Sequence, residues 1–273
     1  YRLFQNTVLF YKDIDFSKKY DIMNILFNWD EPYNWTFCDI KNKAKFFDIA
    51  FICSSQKMED YIINGCKKVY LLYPGYDPEI HKIIISNENL EQYECDISIC
   101  CTNLYEDDNI YPNQYINRKK LIDDIYKNQE EFGYTFHIYG PANFEEIYPN
   151  SYRGLIKYED TNKIFNCSKI NICTHVQSNA KRYLNERTIL VLGSAGLLCI
   201  DKVDELDKVL NLDEECVVID RDNYIEQFVD IIKNYDDYYL LRAKGHEKSK
   251  LFTWDNWANF IKYHIDTNNY SIS

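Results

Sequence analysis

The stretch from residue 164 to residue 201, IFNCSKINICTHVQSNAKRYLNERTILVLGSAGLLCID, decides the fold. Its runs at 169–173 and 197–200 are short and apolar on both faces, which is typical of strands in a parallel sheet covered by helices. Between them the sequence predicts a loop and then a helix that ends near Gly193 and Gly196. A strand, a helix and a second strand in this order indicate an α/β fold.

The loop between the two predicted strands is basic and rich in hydroxyl groups, although the chain as a whole is acidic. Its polar residues, with those that begin the helix, are Thr174, His175, Gln177, Ser178, Lys181, Arg182, Arg187 and Thr188. In an open α/β sheet, ligands bind beyond the carboxyl ends of the strands and near helix N-termini. We therefore predict that this segment binds a small molecule that carries phosphate.

The run 183–201 (YLNERTILVLGSAGLLCID) resembles the donor-site segment of GT-B glycosyltransferases. It looks most similar to the spore-maturation-protein-like group of the group 1 and family 4-like enzymes. That pattern is roughly Asn-x-Arg-x-x-Glu, then Gly-Gly, apolar residues and Asp. Asn185 and Arg187 match it, but Leu190 stands where the pattern has the acid that grips the donor ribose. Glu186, about one turn away, is the alternative acid.

Residues 1–90 resemble the first domain of the same family. The matching pieces are the run 29–32 (WDEP), a Phe-Asp strand, a helix that ends in Gly, a strand, and the run 74–78 (PGYDP). The resemblance implies two Rossmann-like domains that face each other across a cleft. We predict an acceptor-side domain at 1–90, short and incomplete at its N-terminus, a nucleotide-sugar-binding domain at 91–252, and a C-terminal helix and tail at 253–273 that cross back.

Strands and helices are expected to alternate along the chain. The predicted strands, besides those in the opening stretch, are 7–11, 22–28, 47–53, 69–73, 96–101, 134–139 and 216–219. The predicted helices are 54–65, 115–132, 160–167, 203–210, 223–234, 236–250 and 254–265. The polar run 83–95 has no period and is expected to be a linker.

Composition narrows the class of protein. The hydrophobic fraction of 46% supports real cores, and a net charge of −12 argues against a general nucleic-acid partner. The ten cysteines include no C-x-x-C pair, which disfavours structural zinc. We expect a reducing, cytoplasmic location. No apolar run reaches the roughly 18 residues of a transmembrane segment.

The resemblance implies roles for individual residues. The predicted donor-binding residues are Asn103, Tyr139, Gly140, Thr174, His175, Lys181, Arg182, Asn185, Glu186, Arg187 and Thr188. The predicted catalytic residues are Asp30, Glu31, His175 and Arg187. Cations would meet the negative charge that grows on the departing diphosphate, because a guanidinium fork binds phosphate oxygens. The carboxylates near residue 30 would contact the acceptor hydroxyl or take its proton.

Each of these residues also has an ordinary structural explanation. Lys181, Arg182 and Arg187 could be solvated charges, and Gly140 could be an ordinary turn residue before Pro141. The Asp220-Arg-Asp222 run fits a metal-binding pattern, but it precedes a helix, where Asp is a common cap. We expect no metal and no other cofactor.

The sequence leads to a ranked set of functions. The first is a metal-independent glycosyltransferase, a hexosyltransferase, that uses a nucleotide-diphosphate sugar such as a UDP-sugar and a glycan, protein or small-molecule acceptor. The second is a degenerate module that binds a nucleotide sugar without turnover, motivated by Leu190 and by the lack of Gly at residues 102–103. The third is a GT-B-like nucleotide-sugar epimerase.

Overall fold

The computed structural model describes residues 2–5, 20, 22–32, 34–85, 90–107, 109, 114–212 and 214–269. The chain divides into two compact units. The first unit consists of Tyr1–Pro74 with Asn179–Asn185, and the second consists of Gly75–Ser178 with Glu186–Ser273.

The first unit contains a parallel four-stranded sheet in the order β1-β2-β3-β4. Its strands are β1 (Arg2–Gln5), β2 (Asn24–Asn28), β3 (Ile49–Ile52) and β4 (Lys68–Leu71). The register aligns Leu26 of β2 with Ala50 of β3, and Ala50 with Val69 of β4. Every residue of β2 and β3 is buried, as expected for parallel strands covered on both faces.

Among the described residues, three short helices accompany this sheet: α1 (Asn34–Phe37), α2 (Ile40–Lys43) and α3 (Met58–Ile63). Ile40 and Tyr61 pack with the strands in one apolar core. The chain leaves α3 through Gly65, which has a φ of 96°. A Cβ there would lie 2.9 Å from that of Lys45, so this turn requires glycine.

The second unit contains a five-stranded sheet in the order β6-β5-β7-β8-β9. Its strands are β5 (Cys95–Cys100), β6 (Phe136–Tyr139), β7 (Ser168–Cys173), β8 (Leu198–Ile200) and β9 (Val217–Val218). All neighbouring strands are parallel. Their carboxyl ends therefore meet at one edge, which is where ligands bind in such sheets.

The described helices of the second unit are α4 (Arg118–Phe132), α5 (Phe144–Ile147), α6 (Thr161–Cys167), α7 (Glu186–Gly193), α8 (Tyr224–Lys233), α9 (Tyr239–Ser249) and α10 (Trp254–Asn269). The side chain of Asn117 caps α4 by accepting a hydrogen bond from the Lys120 amide. Leu121, Ile122 and Ile125 of α4 pack into the main core of this unit.

The predicted mixed α/β class with parallel sheets is confirmed, but some elements differ. The helix expected at 203–210 is wrong, since only a short 3₁₀ turn forms at Leu206–Lys208. Val203, Leu206 and Leu210 are buried at helical spacing, yet Glu205 adopts a left-handed φ of 57° that interrupts any helix. The predicted strand 7–11 lies outside the described residues, and β1 was not predicted.

The segment after Pro74 belongs to the second unit. The Tyr76 hydroxyl lies 2.9 Å from the Ser249 hydroxyl, and His81 Nε2 lies 2.9 Å from Thr161 Oγ1. Helix α10 belongs to the same unit. The predicted functional domains, 1–90 and 91–252, and the crossing of the last helix stay predictions.

Candidate functional site

The carboxyl edge of the five-stranded sheet brings together several residues that the sequence predicted. Asn103 lies just beyond β5, Gly140 follows β6, and Thr174 and His175 follow β7. Arg187 lies in the first turn of α7. These positions converge because the strands are parallel and adjacent.

His175 is held by Asp201, which directly follows β8. Both are buried, with 1% and 0% of their surfaces exposed. The His175 amide donates to both carboxylate oxygens of Asp201 at 2.9 Å, and His175 Nδ1 lies 2.5 Å from Asp201 Oδ1. The carboxylate therefore fixes the backbone and the ring of His175 together.

Asp201 was not among the predicted site residues. The available signal was an acid directly after an apolar strand, since a buried carboxylate needs charged or hydrogen-bonding partners. Its own amide donates to the Cys173 carbonyl at 3.1 Å. This bond ties the end of β8 to the end of β7.

Arg118 is the second residue that the sequence analysis missed. It begins α4 and is only 4% exposed. Its Nε donates to Thr174 Oγ1 at 2.6 Å, its Nη2 to the Thr174 carbonyl at 2.9 Å, and its Nη1 to the Asn103 carbonyl at 2.8 Å. Burial, and then the nearby charge of Arg187, lower the pKa of this guanidinium.

The signal for Arg118 was its place at the start of a long helix. A cation in the first turn opposes the helix dipole and is unfavourable there, so another interaction must hold it. All of the hydrogen bonds that Arg118 donates in the described part of the chain end on neutral oxygens. The edge of the sheet therefore keeps an excess of positive charge.

Arg187 adds a second guanidinium to this edge. Burial raises the pKa of the Cys100 and Cys173 thiols, and the charge of Arg187 partly opposes both effects. Arg187 thus lies near the ends of β5 and β7. Its Nη1 is buried and has no hydrogen-bond partner within the described residues. A buried donor of this kind is costly unless a ligand or water satisfies it.

Helix α7 has no acid at the position where the related pattern expects one. Leu190 is 5% exposed and belongs to the buried side of the helix. Glu186 lies four residues earlier, on the same side of the helix. Because it is the first residue of α7, its side chain is exposed although Leu190 is buried. Glu186 is therefore the carboxylate that α7 presents to solvent one turn before Leu190.

A cavity of about 320 Å³ opens beyond β5 and β6. Its lining residues are Thr102, Asn103, Leu104, Tyr105, Glu106, Asp107, Pro141, Asn143 and Phe144. Gly140 is needed beside it, because a Cβ there would lie 2.4 Å from the Cys101 carbonyl oxygen and 2.4 Å from the Phe144 ring. The Tyr139 side chain is 2% exposed, and its hydroxyl lies 3.5 Å from His137 Nδ1.

Lys181, Arg182 and Asn185 belong to the first unit, with the segment Asn179–Asn185. The Lys181 carbonyl accepts hydrogen bonds from the Ser54 hydroxyl and the Ser55 amide, both at 2.9 Å. The Arg182 carbonyl accepts one from the Tyr73 hydroxyl at 2.7 Å. Hydrogen bonds to its backbone carbonyls thus anchor this segment within the first unit.

Asp30 and Glu31 follow β2 in the first unit and differ in exposure. Asp30 is exposed, whereas Glu31 is completely buried. Glu31 Oε2 accepts hydrogen bonds from Asn28 Nδ2 at 2.7 Å and from the Tyr61 hydroxyl at 3.0 Å. Burial raises the pKa of Glu31 to about 7, so this carboxyl group titrates near neutral pH.

The Asp220-Arg-Asp222 run after β9 forms a simple turn, in which the Asp222 amide donates to Asp220 Oδ1 at 3.0 Å. Across the described ranges, no cluster of three or more His, Cys, Asp or Glu residues could hold a metal ion. No described helix combines the length and the apolar character needed to cross a bilayer.

Comparison with protein families matches residues 118–262 to a family described as glycosyl transferase-like. This is just over half of the chain, and it begins at Arg118. No curated protein sequence matches. The narrower resemblance to the spore-maturation-protein-like group stays a prediction.

Solved structures share the fold at low sequence identity. The HepE protein of Anabaena in complex with UDP and glucose is 10% identical, with a TM-score of 0.68 over 98% of this chain and 78% of that one. Sucrose-phosphate synthase from Thermosynechococcus elongatus is 10% identical, with a TM-score of 0.66 over 95% and 71%. The pneumococcal O-GlcNAc transferase GtfA in complex with UDP and GlcNAc is 12% identical, with a TM-score of 0.59 over 93% and 54%. The GT-B type of fold expected from the sequence is thereby confirmed.

Proposed function

Because the chain belongs to the glycosyl transferase-like family, we propose that it transfers a hexosyl group from a nucleotide-diphosphate sugar to an acceptor hydroxyl. In this reaction the bond between the sugar C1 and the diphosphate oxygen breaks, and a bond from C1 to the acceptor oxygen forms. The acceptor proton leaves to a base or to water. The nucleoside diphosphate departs with an added negative charge.

The single observation that carries this proposal is the buried Nη1 of Arg187, which lacks a hydrogen-bond partner in the described part of the chain. It lies where the carboxyl ends of the strands meet a helix N-terminus. A diphosphate oxygen is a suitable acceptor there, because guanidinium groups bind phosphate oxygens with strong charge-assisted bonds. The positive charge of Arg118 adds to the attraction for an anion.

UDP is the proposed nucleotide. The HepE and GtfA structures that share this fold are described as complexes with UDP. The base would occupy the cavity beside Gly140, and the side chain of Glu186 would bind the ribose in place of the acid that Leu190 replaces. Thr174 and His175 would shape the edge through their backbone, because both side chains are buried.

Metal independence is part of the proposal. Cationic side chains and helix amides would stabilise the departing diphosphate. Lys181 and Arg182, which belong to the first unit, stay predicted donor-binding residues. Asp30 is the proposed acceptor contact, because it is exposed while Glu31 is buried. The buried Glu31 would not contact the acceptor. It would hold the loop that carries Asp30 in place. We also propose a cytoplasmic location, for the reason given by the cysteine usage of the sequence.

The test begins with binding of UDP and of a panel of UDP-, GDP- and dTDP-sugars, measured by calorimetry and thermal shift. We expect UDP to bind without added metal and to keep its affinity in EDTA. Arg187→Met should weaken UDP binding at least about tenfold, since a charge-assisted hydrogen bond contributes on the order of 1.5–3 kcal/mol. Lys244→Met, which removes an exposed cation of α9, is the matched control.

A folded protein that binds none of these nucleotides would refute the proposed function. Equal affinity for UDP in the wild type and in Arg187→Met would refute the role of Arg187 alone. Transfer is followed by release of UDP in the presence and absence of candidate acceptors.

A binding module without turnover is the second candidate, favoured by the buried Leu190 at the position of the family acid. It would bind UDP-sugars tightly and leave them intact with every acceptor. An epimerase would instead convert the sugar without any acceptor, so analysis of the products separates the three activities.

A further inference from the structure

Arg118 connects two segments of the second unit that the proposed donor site uses. One is the segment after β5, which includes Asn103, and the other is the segment after β7, which begins with Thr174. Arg118 donates three side-chain hydrogen bonds to these two segments, two to Thr174 and one to the Asn103 carbonyl. Its side chain is thus committed to protein partners.

The same guanidinium also supports the wall of the cavity. It lies over the ring of Tyr105, with 4.5 Å between the guanidinium carbon and the ring centroid. Tyr105 lines the cavity and adopts a left-handed φ of 54°, which is costly for a bulky residue. Its amide donates to Asn103 Oδ1 at 2.9 Å, so this turn is fixed from both sides.

We propose that Arg118 is a positioning residue of the donor site, resting on the proposed function. It acts through Thr174, through the Asn103 carbonyl and through the Tyr105 ring, and it does not itself bind the donor. The fork-shaped guanidinium is needed because one side chain must direct donors to two segments at once, which an ammonium group at the end of a flexible chain does poorly. Loss of the fork should therefore loosen both the cavity beside Gly140 and the carboxyl edge of the five-stranded sheet.

A purely structural role explains less of the geometry. Burying a guanidinium against neutral oxygens is unfavourable compared with an apolar residue of similar size, and its place in the first turn of α4 opposes the helix dipole. The carboxylate whose charge acts on Arg118 is Asp201, and it already accepts hydrogen bonds from His175. A positive charge kept under these conditions suits a site that binds an anion.

The experiment compares Arg118→Lys, Thr174→Val and their double variant, with UDP as the binding probe and UDP-glucose as the donor. Arg118→Lys keeps the charge and loses the fork. We expect it to raise the Kd for UDP and the KM for the donor at least about tenfold, which is a loss of one charge-assisted network bond. The expected change in kcat is less than about threefold, because the proposal assigns Arg118 to binding geometry.

Thr174→Val removes only the hydroxyl that Arg118 Nε contacts. We expect a smaller loss of UDP affinity than in Arg118→Lys. The loss of binding free energy in the double variant should be less than the sum of the two single losses, because the two residues share one hydrogen-bond network. Thr174→Ser keeps the hydroxyl and should bind UDP at least about fivefold more tightly than Thr174→Val. Lys127→Met, at an exposed position of the same helix, is the control.

The outcomes distinguish failure of the proposed function from failure of the positioning role of Arg118. Wild-type protein that is folded and binds no nucleotide refutes the proposed function, whatever the variants do. Wild-type protein that binds UDP, with Arg118→Lys binding equally well, overturns the positioning role. If Arg118→Lys does not fold, the Thr174 pair decides: equal affinities for Thr174→Val and Thr174→Ser overturn it, and the expected difference supports it.

Discussion

Asp201 binds His175 twice, once through the backbone amide and once through the imidazole, with 2.5 Å between Asp201 Oδ1 and His175 Nδ1. The two residues follow adjacent parallel strands, β8 and β7. One carboxylate therefore sets the relative position of two strand ends at the proposed donor site.

The first prediction concerns this carboxylate. Asp201→Asn should lower the free energy of unfolding by about 3 kcal/mol, because a buried hydrogen-bonded charge loses part of its network. UDP affinity should fall as well, since the His175 amide and ring lose a shared acceptor. Chemical denaturation and calorimetry measure the two effects. Asp204→Asn, at an exposed position three residues later, should change neither, and an Asp201→Asn protein as stable as the wild type would contradict this account.

The second prediction compares two glycines. Gly140→Ala places a Cβ 2.4 Å from the Cys101 carbonyl oxygen, so the turn beside the cavity must shift. Gly133→Ala meets no atom within 4 Å but sits at a φ of 70°, which costs about 1–2 kcal/mol. We expect both variants to lose stability and only Gly140→Ala to lose UDP affinity. Similar affinities in the two variants would remove Gly140 from the site.

The third prediction follows from the raised pKa of Glu31. The folded pKa of about 7 exceeds the ordinary value of 4.5, so the folded state binds the proton more tightly. This contribution to stability is fully present below pH 4.5 and is lost as the pH rises through 7. Glu31→Gln removes the titration and should become more stable than the wild type at pH 8, by on the order of 3 kcal/mol.

Urea denaturation at a series of pH values measures this difference, with Glu79→Gln at an exposed position as the control. The difference between Glu31→Gln and the wild type should grow from pH 5 to pH 7 and then level off. A difference that does not change with pH would show that Glu31 titrates normally in the folded protein.

The fourth prediction tests the substitute acid of α7. Glu186→Gln should weaken UDP-sugar binding about tenfold, as expected for loss of a charge-assisted hydrogen bond to the ribose. Glu226→Gln is the matched control, because it too is exposed in the first turn of a helix. Leu190→Glu should be destabilising, since it buries a carboxylate in an apolar environment. Restoration of Glu186→Gln by Leu190→Glu would show instead that the family position remains accessible.

The sequence predicted the elements whose evidence is local. Apolar runs located β5, β7 and β8, and the start and end signals of α7 placed Arg187 in its first turn. The partnerships within the site were not local. Arg118 and Thr174 are 56 residues apart in the chain, and His175 and Asp201 are 26 apart, so neither periodicity nor spacing could pair them.

Burial was the other property that the sequence did not reveal. Thr174 and Glu31 are chemically suited to bind a ligand, but both side chains are buried and act through their neighbours. The backbone conformation of residues 203–210 was also not evident from the sequence. Their apolar spacing is helical, yet a left-handed residue in the middle makes the segment a turn.

The short segment Asn179–Asn185 belongs to the first unit although both of its flanks belong to the second. The polypeptide therefore changes unit three times, after Pro74, after Ser178 and after Asn185. No single cut can yield the two units as separate fragments. A fragment that starts at Gly75 would still carry residues 179–185 but would lack Ser54 and Ser55, which bind the Lys181 carbonyl. Producing the second unit by itself thus requires an internal replacement of those seven residues as well as a new N-terminus.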